Sequence, residues 1–128
     1  MAKRTGDRPS GAKHGEAEDV PDVGHLIWLS FSPQAGREQG GRRPALVLSP
    51  RSYNLKVGLC LVCPVTSRSK GYAFEVALPD NFPVQGVVLA DHVKSADWHE
   101  RGSSYIAIAP DAVLDEVRAK LKPLLGMA

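Results

Sequence analysis

From Gly24 onward the chain is divided into short apolar stretches, alternating or continuously hydrophobic, bounded by Gly, Pro, Asn and Ser. This punctuation limits the fold more than any other feature. Runs so short and rich in β-formers read as strands rather than helices. They cover residues 25–31, 44–49, 58–65, 73–78, 86–90 and 105–109. The connecting lengths favour hairpins over the long crossovers of parallel sheets. The expected class is therefore mainly β, a largely antiparallel and strongly curled sheet that would close most economically as a small barrel.

One helix completes this pattern. After Ala109-Pro110-Asp111, the apolar positions Val113, Leu114, Val117 and Leu121 form a single stripe, and Glu116 and Lys120 form an i,i+4 pair on the other side. Pro110 and Asp111 suit its start and Lys120 and Lys122 its end, with Pro123 ending or kinking it. Leu55-Lys56-Val57, between Asn54 and Gly58, reads as a turn or one helical turn, and residues 96–102 as another. Pro79-Asp80-Asn81-Phe82-Pro83 is a loop.

Residues 1–22 show no apolar periodicity and are rich in Gly, Pro, Lys, Asp and Glu, which predicts a mobile tail before a single domain over 23–128. The tail holds four Lys/Arg and five Asp/Glu of totals of 16 and 14, so the remainder is the basic part of the chain. Acidic neighbours argue against the tail acting as an RNA-binding arm. A net charge of +2 is too small to indicate a nucleic-acid partner by its sum alone. No apolar run is long enough to span a membrane and the first residues lack a secretory core, so a cytoplasmic protein is expected. Cys60 and Cys63 have C-x-x-C spacing but lie in a strand, where positions three apart face opposite ways. They read as separate buried thiols rather than a metal pair or a bridge.

The distribution of charge is more informative than its sum. Gly36-Arg37-Glu38-Gln39-Gly40-Gly41-Arg42-Arg43-Pro44 loads a glycine-spaced loop with guanidinium groups and runs straight into Ala45-Leu46-Val47-Leu48. Arginines at the mouth of a rigid strand suit phosphate, although three arginines in a loop are equally read as solvated charge. Arg43, braced by Pro44, offers a planar fork of donors, and Thr66, just past the 58–65 strand, adds a hydroxyl. The plainer readings are a surface ion pair from Arg43 to Glu38 or Asp91 and a local backbone bond for Thr66. Glu38 is a candidate base, or simply a neutralising partner for Arg37.

Taken in order, Gly24-His25-Leu26-Ile27-Trp28, the Arg43-Pro44 pair, Pro64-Val65-Thr66, Ser69-Lys70-Gly71-Tyr72 and Leu89-Ala90-Asp91-His92-Val93-Lys94-Ser95 resemble the MazF/PemK family of toxin endoribonucleases over about residues 22–125. The resemblance implies a curled SH3-like barrel of the MazF/PemK/CcdB type. It also implies sequence-specific cleavage of single-stranded RNA by 2′-hydroxyl attack, leaving a 2′,3′-cyclic phosphate and a 5′-hydroxyl, without a metal or other cofactor. Arg43 and Thr66 match the family's catalytic pair; Glu38 is added as a candidate. An arginine is a poor base, so its expected part is charge stabilisation, with acid duty as a second role, and the identity of the base stays open. For RNA binding, Arg42, Lys70, Lys94 and Arg101 would supply cations, with Tyr72 and His92 beside them, and Trp28, Phe31 or Trp98 would stack on bases. Most aromatics in small barrels are nevertheless core.

Two positions depart from the pattern. Asp91-His92-Val93-Lys94 stands where many relatives resemble Asp-Gln-Val-Lys, which bears on base preference. Trp28-Leu29-Ser30-Phe31 stands where some have Trp-Val-Asp-Phe. The family further implies a homodimer with RNA in a groove across the interface, a MazE-like antitoxin whose acidic segment covers that groove, and contact with DNA only through the antitoxin. A gyrase poison of the same toxin fold is the alternative, and a non-catalytic RNA-binding barrel is the third reading. The gyrase-poison pattern ends in a Trp-bearing helix, whereas this chain ends Leu124-Leu125-Gly126-Met127-Ala128.

Overall fold

The computed structural model describes residues 20–31 and 36–128. Among them are strands β1 (His25–Phe31), β2 (Gly41–Val47), β3 (Cys60–Thr66), β4 (Glu75–Ala77), β5 (Val87–Leu89), β6 (Lys94–Ala96) and β7 (Ser104–Ile108). Helix α1 is Arg51–Val57, helix α2 is Asp111–Leu124, and Ala90–His92 forms a single 3₁₀ turn. The strands make one curled, open sheet in the order β4-β5-β3-β2-β1-β7, with β6 also on β3. Every pairing is antiparallel. The fold class is thus the expected one, with the two ends of the sheet left unjoined.

β3 is the hub because both its edges are used. β2 occupies one edge. On the other, β6 pairs with its first half and β5 with its last residues. The 3₁₀ turn between β5 and β6 is thereby carried past the middle of β3. The sheet separates two cores. Leu26, Leu46, Cys63, Val65, Val76 and Val88 pack with Val113, Val117 and Leu121 of α2, the stripe expected for that helix. Ile27, Leu29, Phe31, Ala45, Val47, Cys60, Val62, Ala96 and Trp98 pack on the opposite face. The two cysteines accordingly fall in different cores, as strand alternation requires. Burial pushes both thiols up to about 12, with the Asp97 carboxylate adding at Cys60 and Asp91 at Cys63.

Several boundaries differ from the sequence reading. β2 starts at Gly41, because pairing with Phe31, Ser30 and Leu29 carries Gly41, Arg42 and Arg43 into the ladder. α1 is longer than one turn: it runs from Arg51 to Val57, between Pro50 and Gly58, whose φ of 82° supplies the left-handed end. β6 was not anticipated, since Lys94-Ser95-Ala96 has no β-rich run and pairs only because β3 offers an edge. Residues 98–102 form turns rather than helix. Pro123 lies within the last turn of α2.

Residues 1–19 of the expected tail lie outside the described residues, but its last positions are packed. Val20 is 1% exposed, and Asp22 accepts the backbone N–H groups of Val23 at 2.8 Å and Arg51 at 2.9 Å. The packed region therefore begins earlier than residue 23. No helix among the described residues is long and apolar enough to cross a membrane.

Candidate functional site

Register decides which groups meet. Leu29 of β1 lies opposite Arg43 of β2, and Ala45 lies opposite Pro64 of β3. Continued by two residues, the β2–β3 register brings Arg43 level with Thr66, on the face of the sheet that Leu29 and Ala45 share. The Arg43 guanidinium is held by main chain: Nε and Nη2 donate to the Gly40 carbonyl at 2.9 and 2.8 Å, and Nη1 donates to the Val65 carbonyl at 3.3 Å. A guanidinium carries five N–H bonds, so two stay available for a ligand. Among the described residues no carboxylate pairs with Arg43, so the ion pair to Glu38 or Asp91 that the sequence allowed does not form.

Thr66 terminates β3 and its Oγ1 accepts the Arg68 N–H at 3.2 Å, the local bond common at strand ends. Its carbonyl is pressed against Gly86, where a Cβ would stand 2.2 Å from Thr66 O. Gly86 has a φ of 117°, so only glycine gives both the backbone angle and the close approach.

Beside this pair lies a cleft of about 330 Å³ lined by Phe31, Arg37, Glu38, Gln39, Pro64 and residues 91–94. Arg43 and Thr66 are not part of its lining, but their neighbours are. Gln39 precedes the carbonyl that holds Arg43, and Pro64 stands two residues before Thr66. Glu38, exposed on the same loop, therefore faces a cleft that adjoins the guanidinium. Lys94 extends over the Phe31 ring, 5.7 Å from its centre. Phe31 itself is 2% exposed, which makes it part of the cleft floor rather than a free stacking face.

Lys70 and Tyr72 sit on the exposed connection between β3 and β4. Glu75 pins this segment, its carboxylate accepting the Ser69 hydroxyl at 2.7 Å and the Lys70 N–H at 2.9 Å. Those bonds, the Lys70 N–H first, hold the Glu75 carboxyl below its usual range. Tyr72 donates its hydroxyl to Asp91 Oδ2 at 2.9 Å, and this bond raises the phenol above its ordinary value. The loop is thus tied at one end by Glu75 and at the other by the wall of the cleft.

Other expected binding residues lie elsewhere. Trp28 and Arg42 occupy the opposite face of the sheet from Arg43, because they alternate with Leu29 and Arg43 in the ladder. Arg42 donates to the Gly102 carbonyl at 2.9 Å and to Ser30 Oγ at 3.4 Å, and Arg101 donates to the Ser30 carbonyl at 3.0 Å. These arginines brace the turn before β7 against β1. Trp98 is core, with its indole N–H on the Asn54 carbonyl at 3.0 Å. Asp91 and Gln39 were not foreseen as cleft residues. Asp91 stands in the Leu89–Ser95 motif, but nothing in that local pattern marks it as part of a cleft. Among the described residues no three His, Cys, Asp or Glu side chains converge as metal ligands.

Comparison with known proteins gives one consistent result. Residues 22–125 match the family described as PemK-like, MazF-like toxin of type II toxin–antitoxin system. The endoribonuclease toxin MazF of Escherichia coli K12 is 49% identical over 107 residues, covering 84% of this chain and 96% of that protein. A crystal structure of MazF from Deinococcus radiodurans superposes with a TM-score of 0.82 at 65% identity, covering 84% of this chain and 98% of that one. A MazE–MazF crystal structure from the same organism gives 0.78 at 64%, covering 85% and 98%.

Proposed function

The chain belongs to the PemK-like, MazF-like toxins of type II toxin–antitoxin systems, and from that membership we infer an endoribonuclease toxin that cuts single-stranded mRNA at a short sequence. The observation that carries the mechanism is the main-chain cradle around Arg43, level with Thr66. A guanidinium already oriented by two carbonyls needs no reorganisation when charge develops on a phosphate beside it.

In this mechanism a proton leaves the ribose 2′-hydroxyl for Glu38, and the 2′ oxygen bonds to phosphorus. The free N–H groups of Arg43 and the Thr66 hydroxyl stabilise the five-coordinate oxygens. The bond from phosphorus to the 5′ oxygen then breaks, and that oxygen takes a proton from solvent. The products are a 2′,3′-cyclic phosphate and a 5′-hydroxyl, with no metal required. Lys70 and Lys94 meet the RNA backbone, with Tyr72 and His92 contributing along its path.

The protein acts in the cytoplasm, where its substrate is, and inhibits translation and growth. Exposed Tyr105 and Ile108, on one face of β7, leave apolar surface that supports association with a second copy, so that RNA crosses a shared groove. A MazE-like antitoxin with an acidic segment competes for the same cleft, and DNA is met only through that partner. The MazE–MazF complexes of Deinococcus radiodurans support such a partner.

The test is incubation of purified protein with mixed-sequence RNA in EDTA, followed by analysis of the ends. Discrete cuts with cyclic phosphate ends, lost in Arg43→Ala and kept in Lys70→Ala at high enzyme concentration, are expected. Intact RNA at ample enzyme would overturn the reading.

A further inference from the structure

Asp91 stands in the cleft with its valence for hydrogen bonds half used. Oδ2 accepts the Tyr72 hydroxyl at 2.9 Å, which fixes the plane of the carboxylate. Oδ1 is buried and has no hydrogen-bond partner among the described residues. His92 Nε2 is 3.9 Å from it, beyond hydrogen-bond reach. A buried carboxylate oxygen with no donor from the protein is costly, so a donor from outside the chain is called for there. Both Asp91 and His92 line the cleft, beside the catalytic candidates Arg43 and Glu38.

Resting on the reading of this cleft as an RNA site, we propose that Asp91 is a specificity-determining residue that accepts a hydrogen bond from the exocyclic amino group of one nucleobase. A phosphate cannot fill the place, since like charges repel. Arg37 and Lys94, which also line the cleft, serve the backbone instead. The remaining donors of RNA are base N–H groups and ribose hydroxyls. Adenine, cytosine and guanine carry an amino group, whereas uracil presents a carbonyl at the matching position, which a carboxylate repels, and has only its ring N–H groups to donate. Because Oδ1 is buried in the free protein, the contact requires His92, 3.9 Å away, to move as the base enters, and Tyr72 is the positioning residue that keeps Oδ2 occupied. A site built to pair with such a group discriminates strongly against analogues that lack it.

The experiment reads base preference, not activity alone. Wild type, Asp91→Asn and Tyr72→Phe are given a randomised RNA pool, and the cut sites are sequenced. Asp91→Asn should weaken the preference for an amino-bearing base over uracil by about tenfold or more at one position, leaving the others intact, and Tyr72→Phe should do so less at the same position. The preferred RNA is then remade with purine riboside for adenosine, inosine for guanosine or pyrimidin-2-one riboside for cytidine. One replacement should slow wild type by about tenfold or more and slow Asp91→Asn no further. Wild type indifferent to every replacement overturns the proposal even if the variants fail to fold. An unchanged preference in Asp91→Asn, or an equal loss at all positions as a ribose contact or a structural role would give, also overturns it. RNA left intact by wild type removes the reading of the site itself.

Discussion

The two ends of β3 each hold polar side chains against the sheet, and they do so in opposite ways. At the β3 start, Asn54 is 0% exposed and saturated: its amide donates to the Pro21 and Ser49 carbonyls at 2.8 and 3.0 Å and accepts the Ser49 hydroxyl at 2.6 Å. Ser49 in turn accepts the Leu61 N–H at 2.9 Å. This network joins the segment before β1, helix α1 and β3, and leaves no bond for an outside molecule. Toward the far end, Arg43 keeps two donors in reserve, and beside the middle of the strand Asp91 keeps one acceptor. A closed network spends its bonds on the fold, whereas an open one holds its groups rigid and leaves part of their bonding for a ligand.

That contrast can be broken at either end. The largest effect is expected at the open end: Arg43→Ala should lower kcat/KM for RNA cleavage by about 10²–10³-fold, the usual loss for a preorganised donor to developing charge, with the urea midpoint nearly unchanged. Single-turnover cleavage and urea titration on the same samples check it. A matching drop in stability would show that the arginine is a structural brace.

At the closed end the outcome should reverse. Asn54→Ala strands the Pro21 and Ser49 carbonyls and the Ser49 hydroxyl, for a loss of about 3 kcal/mol in unfolding free energy. The cleavage rate per folded molecule should stay near that of wild type. Gly86→Ala sharpens the comparison because it strains the open end through the backbone. Its positive φ alone costs about 1–3 kcal/mol, and the new Cβ displaces Thr66, so stability and kcat should fall together.

The smallest effect concerns Asp22, beside the closed network. Burial raises its carboxyl, but the N–H groups of Arg51 and Val23 and the Arg51 guanidinium outweigh that, and the net shift is downward. A carboxylate held below its ordinary value contributes stability above the unfolded-state value and loses it as pH falls through the folded one. The urea midpoint of Asp22→Asn should therefore decline less than that of wild type between neutral and acidic pH. Parallel declines would exclude the contribution.

Much of the candidate site was legible because its parts carry local signatures. The Arg43-Pro44 and Pro64-Val65-Thr66 segments are recognisable as short motifs, and the β2–β3 register, continued by two residues, sets them level. Arg42 shows where such reading fails. It is adjacent to Arg43 and of the same type, yet strand alternation sends it to the other face, onto Ser30 and Gly102. Phe31 and Trp98 fail for another reason: aromatic character does not distinguish a stacking face from a core side chain, and both are buried.

By itself the amino-acid order determined an antiparallel β protein with a C-terminal helix, since alternation, turn residues and the α2 stripe act between near neighbours. It also determined that the two cysteines could not share a face. Only the tertiary structure decided that Lys94-Ser95-Ala96 is a strand, that Val20 is core and that Asp91 reaches the cleft with one oxygen unpaired. Each of these depends on what another part of the chain places alongside, and contacts across long separations are written in no local pattern.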